Sequence, residues 1–405
     1  LFFQQQKLSS IFFFSCFILL PFFDALNGYL VVNKIINTAG LFSPSQLGRL
    51  FFSMLLLYII HKRKLGVLPL FIIFYLFFVE VVSGISHQSP YGVFYGLMYS
   101  YKIAYLILLV IVLSSYLKEP KDVWQLGQYL TYNLLIISFL LWFSTITGIG
   151  NSTYNAGFGT KSFFSSGNGL GLYLGIGCLF LLGLKHYGLF DVSTKRLLLI
   201  AFSIALIGSK TALILCLVNL MIICLLSKHR NIIIALFFIL LILLLPKIIS
   251  LLSIVFDVIL FRLERSDNIF IYLGSGRLEY VADAFSQYLN SAPSIIRHFI
   301  GAGAFTSFQN PSDVVHFDTL ETDLFDLFFM YGFLSVLYFS TLIIFVLYQL
   351  RVYKIFLLGM LLLSLHSVIA GHVLFNGMSS VCFVLFICIS GYLSKTRKIH
   401  DKINA

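Results

Sequence analysis

The chain has 405 residues, 59% of them apolar and only 11% charged, with 44 Phe and 22 Tyr. An ordinary soluble domain carries about a quarter charged residues, so this composition cannot coat a water-facing surface. That excludes a soluble enzyme, a secreted disulfide scaffold and a disordered chain. The net charge of +11 is scattered in short clusters between apolar runs, which argues against a nucleic-acid stripe and fits the cytoplasmic loops of a membrane protein.

Apolar runs near the ~20 residues that cross a bilayer recur from end to end. The expectation is an all-α polytopic membrane protein with twelve spans, near 8–30, 46–61, 65–84, 92–117, 123–147, 163–184, 195–208, 210–226, 231–249, 323–348, 354–370 and 373–393. The run from about Leu8 has no small-residue cleavage site ahead of a polar domain, so it reads as a retained helix, although the first residue is Leu. The seventh and eighth spans are short and meet at Gly208-Ser209-Lys210. The chain divides into transmembrane helices over 1–249, an outer loop over 250–322, and further helices with a short basic tail over 323–405. Cys16, Cys178, Cys216, Cys224, Cys382 and Cys388 all lie in apolar stretches and read as buried small hydrophobes.

With a cytoplasmic N-terminus, every cytoplasmic segment carries at least one Lys or Arg, as at Lys62-Arg63-Lys64 and in the tail at Lys395, Arg397, Lys398 and Lys402. Both ends are therefore expected inside. Ten cations remain within the membrane or outside it: Lys34, Arg49, Lys102, Lys161, Lys210, Lys247, Arg262, Arg265, Arg277 and Arg297. Each opposes the topology rule and needs another reason. Ten of the sixteen acidic residues fall between Asp257 and Asp326, so the outward-facing chemistry gathers around the loop 250–322. A long loop in a compact protein is more often functional than idle.

Within that loop Leu278, Val281, Ala282, Phe285, Tyr288 and Leu289 recur at helical spacing, with Arg277, Glu279, Asp283 and Gln287 opposite. The pattern predicts an amphipathic helix at the membrane surface, either capping the bundle or serving a site. Arg277 stands at its start, where free N–H groups favour an anion and a guanidinium fork suits diphosphate oxygens; the other reading is an Arg snorkelling to headgroups. Gly301-Ala302-Gly303 reads as a tight turn. Further on, Glu321, Asp323 and Asp326 lead three carboxylates into an apolar span. They either bind sugar hydroxyls and accept a proton or neutralise Arg265, Arg277 or Arg297. Lys210 would hold a phosphate if it faced the bundle, or snorkel if it faced out. Lys102 is expected to pair with Glu80. His366, His372 and Asn376 lack the cysteines or repeated histidines of a zinc site, so no metal and no cofactor are expected.

Ser275-Gly276-Arg277, Gly301-Ala302-Gly303, Asp323-Leu324 and Tyr331-Gly332-Phe333-Leu334, in that order, resemble the O-antigen polymerase (Wzy) and O-antigen ligase superfamily. Upstream, Phe163-Phe164-Ser165-Ser166-Gly167-Asn168-Gly169-Leu170 and Gly208-Ser209-Lys210-Thr211-Ala212 are similar to that superfamily's Asn-bearing span and its Ser-Arg-Thr turn. Lys210 replaces the turn's usual Arg, which keeps charge and loses the bidentate fork. Ligases carry a His where this chain has Glu321; His316 lies too early to replace it, and Ser335 stands where a Gly is usual. The Glu-x-Asp resembles the polymerase branch.

The resemblance implies a metal-independent glycosyltransferase of the bacterial inner membrane. Its donor would be a glycan on undecaprenyl diphosphate, its acceptor a second lipid-linked repeat unit, and its product a longer polysaccharide of lipopolysaccharide biosynthesis. A chain-length regulator (Wzz) is an expected partner. Arg277, Glu321 and Asp323 are the candidate catalytic residues; Lys210, Arg297, His316, Asn168 and Lys161 are candidates for binding substrate. The alternatives are a ligase, with lipid A-core as acceptor, and a lipid-linked oligosaccharide flippase, which would instead have short outer loops and a charged central cavity.

Overall fold

The computed structural model describes residues 2–36, 43–66, 68–86, 90–153, 159–227, 231, 277–311, 314, 318–371 and 373–403. The expected ninth span, apart from residue 231, and His316 lie outside the described residues. In chain order the elements are α1 (Phe2–Phe14), a π-helical turn (Ser15–Leu19), α2 (Leu20–Val32), α3 (Pro44–Arg63), α4 (Leu70–Ser86), α5 (Pro90–Tyr116) and α6 (Pro120–Thr147). A two-stranded antiparallel hairpin follows, β1 (Asn151–Ser152) and β2 (Thr160–Ser162). Then come α7 (Gly167–His186), α8 (Thr194–Leu206), α9 (Lys210–Leu226), α10 (Arg277–Asn290), α11 (Ile295–Ile300), α12 (Gly303–Thr306), α13 (Asp323–Leu350), α14 (Lys354–Ile369) and α15 (Ser379–Ile403).

Among the described residues six helical segments are long and apolar enough to cross a membrane: Leu8–Val32, Tyr91–Tyr116, Pro120–Thr147, Gly167–His186, Asp323–Leu350 and Ser379–Arg397. Leu70–Ile85, Lys210–Leu226 and Lys354–Ile369 are apolar but shorter. The chain is thus an all-α, multi-pass membrane protein by the length and composition of its helices. All six cysteines are buried and unpaired, as small hydrophobes in the core.

At the centre stands α7, enclosed by α6, α8, α9, α14 and α15. Its glycines set how closely the neighbours approach: a Cβ at Gly171 would press on Ala212, and one at Gly175 on Leu215, both on α9. The first span is a broken helix. Pro21 has no N–H, so the Phe17 carbonyl loses its usual donor four residues on, and the chain takes a π-helical turn just before the proline. The buried Asn133 side chain of α6 donates to that carbonyl, and Tyr173 on α7 fixes Asn133 through a 2.7 Å hydrogen bond to its Oδ1.

Two spans differ from expectation. The tenth is not continuous: α13 kinks at Gly332 (φ 72°, ψ −176°), where a Cβ would overlap the Phe299 carbonyl of α11. Ser335 Oγ donates to the Leu327 and Gly332 carbonyls freed there, at 2.9 and 2.7 Å. The twelfth begins at Ser379 rather than 373. Residues 373–378 are non-helical, because Asn376 Oδ1 accepts from the N–H groups of Met378 and Ser379 and opens the helix there. Part of the expected outer loop also packs into the bundle, since α12 contacts α4, α5 and α13.

Replacing Asn133 with Leu should destabilise the protein by about 1–3 kcal/mol, the cost of a buried carbonyl left without a donor. Pro21→Ala returns an N–H to Phe17, so Asn133→Leu should cost measurably less in that background. Thermal unfolding of the four proteins in detergent checks this; equal costs in both backgrounds would refute the assignment.

Candidate functional site

The described residues enclose a cavity of about 620 Å³. α2, α3 and α5 form one side of it, and the start of α7 with the segment 375–378 forms the other. Phe77, Leu97, Met98, Phe164, Leu170 and Phe375 make most of its wall apolar. Into this wall the sequence places two cations, Arg49 and Lys102, with Asp24, Asn27, Gln46, Tyr101 and Asn376 beside them.

Arg49 is held from three directions. Its Nη2 donates to Asp24 Oδ1 at 2.5 Å and its Nη1 to the Ser45 carbonyl at 3.4 Å. The guanidinium lies against the Gly377 backbone, where any side chain would collide with it. Lys102 does not pair with Glu80 as the sequence predicts. Its Nζ lies 4.2 Å from the Tyr99 ring centroid, and that ring stacks on Phe375 at 4.5 Å. Among the described residues no carboxylate stands within ion-pair distance of Lys102. The Asn27 side-chain oxygen, also in the wall, has no hydrogen-bond partner among the described residues.

The three carboxylates at the head of α13 have separate tasks. Asp323 is buried, and its Oδ2 accepts from Ser367 Oγ (2.7 Å) and from the N–H groups of Val373 (3.0 Å) and Leu374 (3.1 Å). Asp323 thus anchors the segment that carries Phe375, Asn376 and Gly377 into the cavity wall. Asp326, equally buried, accepts from the Leu320 N–H at 2.9 Å and fixes the preceding turn. Glu321 alone stays exposed, and its backbone is left-handed (φ 58°), an uncommon state for a non-glycine residue. Its Oε2 pairs with Arg277 Nη2 at 2.8 Å.

The amphipathic helix forms as α10, Arg277–Asn290. Its apolar face, with Phe285 and Tyr288, packs on Phe328 and Phe329 of α13. Arg297 is buried, and its side chain serves the loop's own structure. It donates to Ser291 Oγ (2.9 Å) and to the carbonyls of Ser307 (3.0 Å) and Gln309 (2.7 Å), beneath the Tyr288 ring. Lys210 is exposed at the start of α9, just after a buried turn at Ile207-Gly208-Ser209, and Lys161 lies on β2 of the hairpin. The hairpin packs against that turn, with Thr153 Oγ1 donating to the Ile207 carbonyl at 2.7 Å. Asn168 is exposed on the first turn of α7. None of Lys161, Asn168 and Lys210 lines the cavity, whereas Ser165, Ser166 and Leu170 beside Asn168 do.

Sequence reasoning therefore placed the site at Arg277 and passed over Arg49, Lys102 and Asn376. The available signal was the position of Arg49 and Lys102 among the cations that oppose the topology rule.

Water access to the cavity is directly testable. A single Gln46→Cys variant should react with a water-soluble maleimide in detergent, whereas the wild type, whose six cysteines are buried, should not. Equal, slow labelling of both would mean a closed cavity. No protein-family model matches the chain and no curated protein is similar to it, so the reading of this site rests on its geometry.

Proposed function

We propose that this chain is an O-antigen polymerase-type glycosyltransferase that joins undecaprenyl-diphosphate-linked repeat units at the outer face of a bacterial inner membrane. The observation that carries this reading is that two cations, Arg49 and Lys102, stand in the wall of one apolar cavity while only Arg49 has a carboxylate partner among the described residues. A cation left without one in an apolar setting is costly unless an anion joins it, and a lipid diphosphate supplies both the anion and an apolar tail. The reading takes all twelve spans, with both termini cytoplasmic and the cavity mouth outside.

In this mechanism an acceptor sugar hydroxyl attacks the anomeric carbon of the donor glycan. The new glycosidic bond forms as the bond to the diphosphate oxygen breaks, and undecaprenyl diphosphate leaves with that electron pair. Arg49 and Lys102 stabilise the charge developing on the leaving oxygen, which is the largest contribution such a site makes. Glu321, the exposed carboxylate of the α13 head, binds the acceptor hydroxyl or takes its proton, oriented by Arg277. Asn27 and Asn376 offer amide groups to sugar hydroxyls. The apolar wall follows the polyprenyl chain into the membrane. A chain-length regulator (Wzz) would act on the same complex.

The test is the lipopolysaccharide pattern of a strain deleted for this gene and complemented with wild type, Lys102→Ala or Arg49→Ala. The deletion should show core bearing a single repeat unit, and wild type should restore the ladder. Each variant, at wild-type protein level, should lose about 10²–10³-fold in polymerisation rate, as for removal of one charge-stabilising donor. A ladder unchanged by both variants refutes the site. Unsubstituted core with long polymer still on the carrier lipid would instead mean a ligase; bare core with no outer-face polymer would mean a flippase.

A further inference from the structure

Glu80 is the buried carboxylate that the proposed chemistry does not use. It sits in the middle of α4, whose sequence LFIIFYLFFVEVVSGIS is otherwise almost wholly apolar, and it is 1% exposed. Its partners are the backbone N–H of Ala304, 3.0 Å from both carboxylate oxygens, and the hydroxyl of Tyr331, at 2.7 Å. Two more polar residues of α4 reach the same stretch of chain. The Tyr75 hydroxyl shares its one proton between the carbonyls of Ile300 (3.1 Å) and Tyr331 (3.0 Å), and Ser83 Oγ donates to the Ala302 carbonyl. Gly301 N–H closes on the Arg297 carbonyl at 2.9 Å, and Ala302 N–H points to the Phe329 carbonyl at 3.4 Å. The turn between α11 and α12, non-helical at 301–302, thus has its backbone groups received by polar side chains of α4 and by backbone carbonyls.

That arrangement fixes the depth of the turn. Tyr75 is about 16 Å along α4 from its end at Ser86, and Tyr331 about 12 Å along α13 from its start at Asp323, at 1.5 Å per residue. The hydrocarbon half of a bilayer is only about 15 Å thick. Irregular backbone is tolerated at such depth only where protein groups satisfy it, which is what Tyr75, Glu80 and Ser83 do. Close approach is secured by glycine on both sides. Gly301 and Gly303 have φ of 87° and 78°, and a Cβ at Gly301 would overlap the Met330 carbonyl.

The outward face of α11 has a matching composition. Ile295 is 75% exposed, Ile296 69% and Phe299 48%, while Arg297 between them is turned inward. Phe299 meets Phe333 edge to face at 6.4 Å, and Phe333, Leu334 and Leu337 continue the exposed apolar surface down α13, a helix long enough to cross the membrane. The α11 surface is therefore continuous with the lipid-facing side of a spanning helix.

We propose that residues 294–306 form a re-entrant segment that enters the bilayer from the outer side and lays Ile295, Ile296 and Phe299 against the acyl chains of membrane lipid. Glu80 is the intramembrane acid that receives the turn's backbone. The assignment rests on the membrane-spanning architecture and is independent of the glycan chemistry.

Spin labels at Ile296→Cys, Leu337→Cys and Glu279→Cys, in protein reconstituted into vesicles of phosphatidylethanolamine and phosphatidylglycerol free of polyprenyl lipid, test it. All three positions are exposed in the fold. At Ile296, as at Leu337, collision with lipid-soluble oxygen should exceed collision with a water-soluble nickel chelate; at Glu279 the order should reverse. Nickel access at Ile296 matching that at Glu279 would overturn the proposal. So would protection of Ile296 from both reagents, which would mean a protein contact or a bound polyprenyl tail from the membrane source. In a second measurement, Glu80→Leu should lower the melting temperature in detergent and should raise nickel access at Ile296, whereas Glu80→Gln should keep part of both properties. If Glu80→Leu leaves the label's depth unchanged, Glu80 does not hold the turn.

Discussion

A backbone carbonyl or amide that loses its helical partner away from water must be given another, and most of the architecture here follows from that constraint. Each place where a helix breaks is matched by a polar side chain from elsewhere in the chain. Pro21 frees the Phe17 carbonyl and Asn133 takes it. Gly332 interrupts α13, and Ser335 and Tyr75 receive the carbonyls around the kink. The turn after α11 exposes the Ala304 N–H, and Glu80 meets it. The non-helical start of the last span presents Val373 and Leu374, and Asp323 accepts from both. Polar residues in apolar helices are expensive, so their positions record where the backbone departs from regular helix.

The same accounting separates the cations. Arg297 is spent on carbonyls and a serine hydroxyl within its own loop, and Arg277 on Glu321. Arg49 keeps a carboxylate partner yet still faces the cavity, and Lys102 rests on an aromatic ring with no carboxylate in pairing distance among the described residues. Arg277 and Arg297 are thus tied to partners near the loop, whereas Arg49 and Lys102 line the apolar cavity, where a visiting anion would meet them. That difference moves the proposed centre of the chemistry from the outer loop to the junction of α2, α3, α5 and the segment 375–378. It also gives Asp323 a place in the site without contact to substrate, since the segment it anchors carries the glycine against which Arg49 lies.

The proposed function and the re-entrant segment meet at α13. Its head presents the exposed Glu321, its first turns hold the cavity's wall through Asp323, and its kink seats the turn between α11 and α12. Helix α10 covers this assembly from outside through Phe285 and Tyr288. A helix that were straight through Gly332 would keep its own hydrogen bonds and leave no room for the Phe299–Ile300 backbone.

By itself the sequence determined the membrane class, the positions of most helices and the amphipathic helix at Arg277–Asn290. These depend on apolar length and on 3.6-residue periodicity, both properties of contiguous residues. It also singled out Arg49 and Lys102 as cations in the wrong place, without saying what they served. Tertiary structure alone decided that Glu80 answers the Ala304 amide rather than Lys102, that Asp323 and Arg297 are committed to the backbone, and that Arg49 and Lys102 share one cavity. The partners in these contacts mostly come from distant parts of the chain, as when Glu80 meets Ala304. No local pattern encodes them; packing the helices together creates each one.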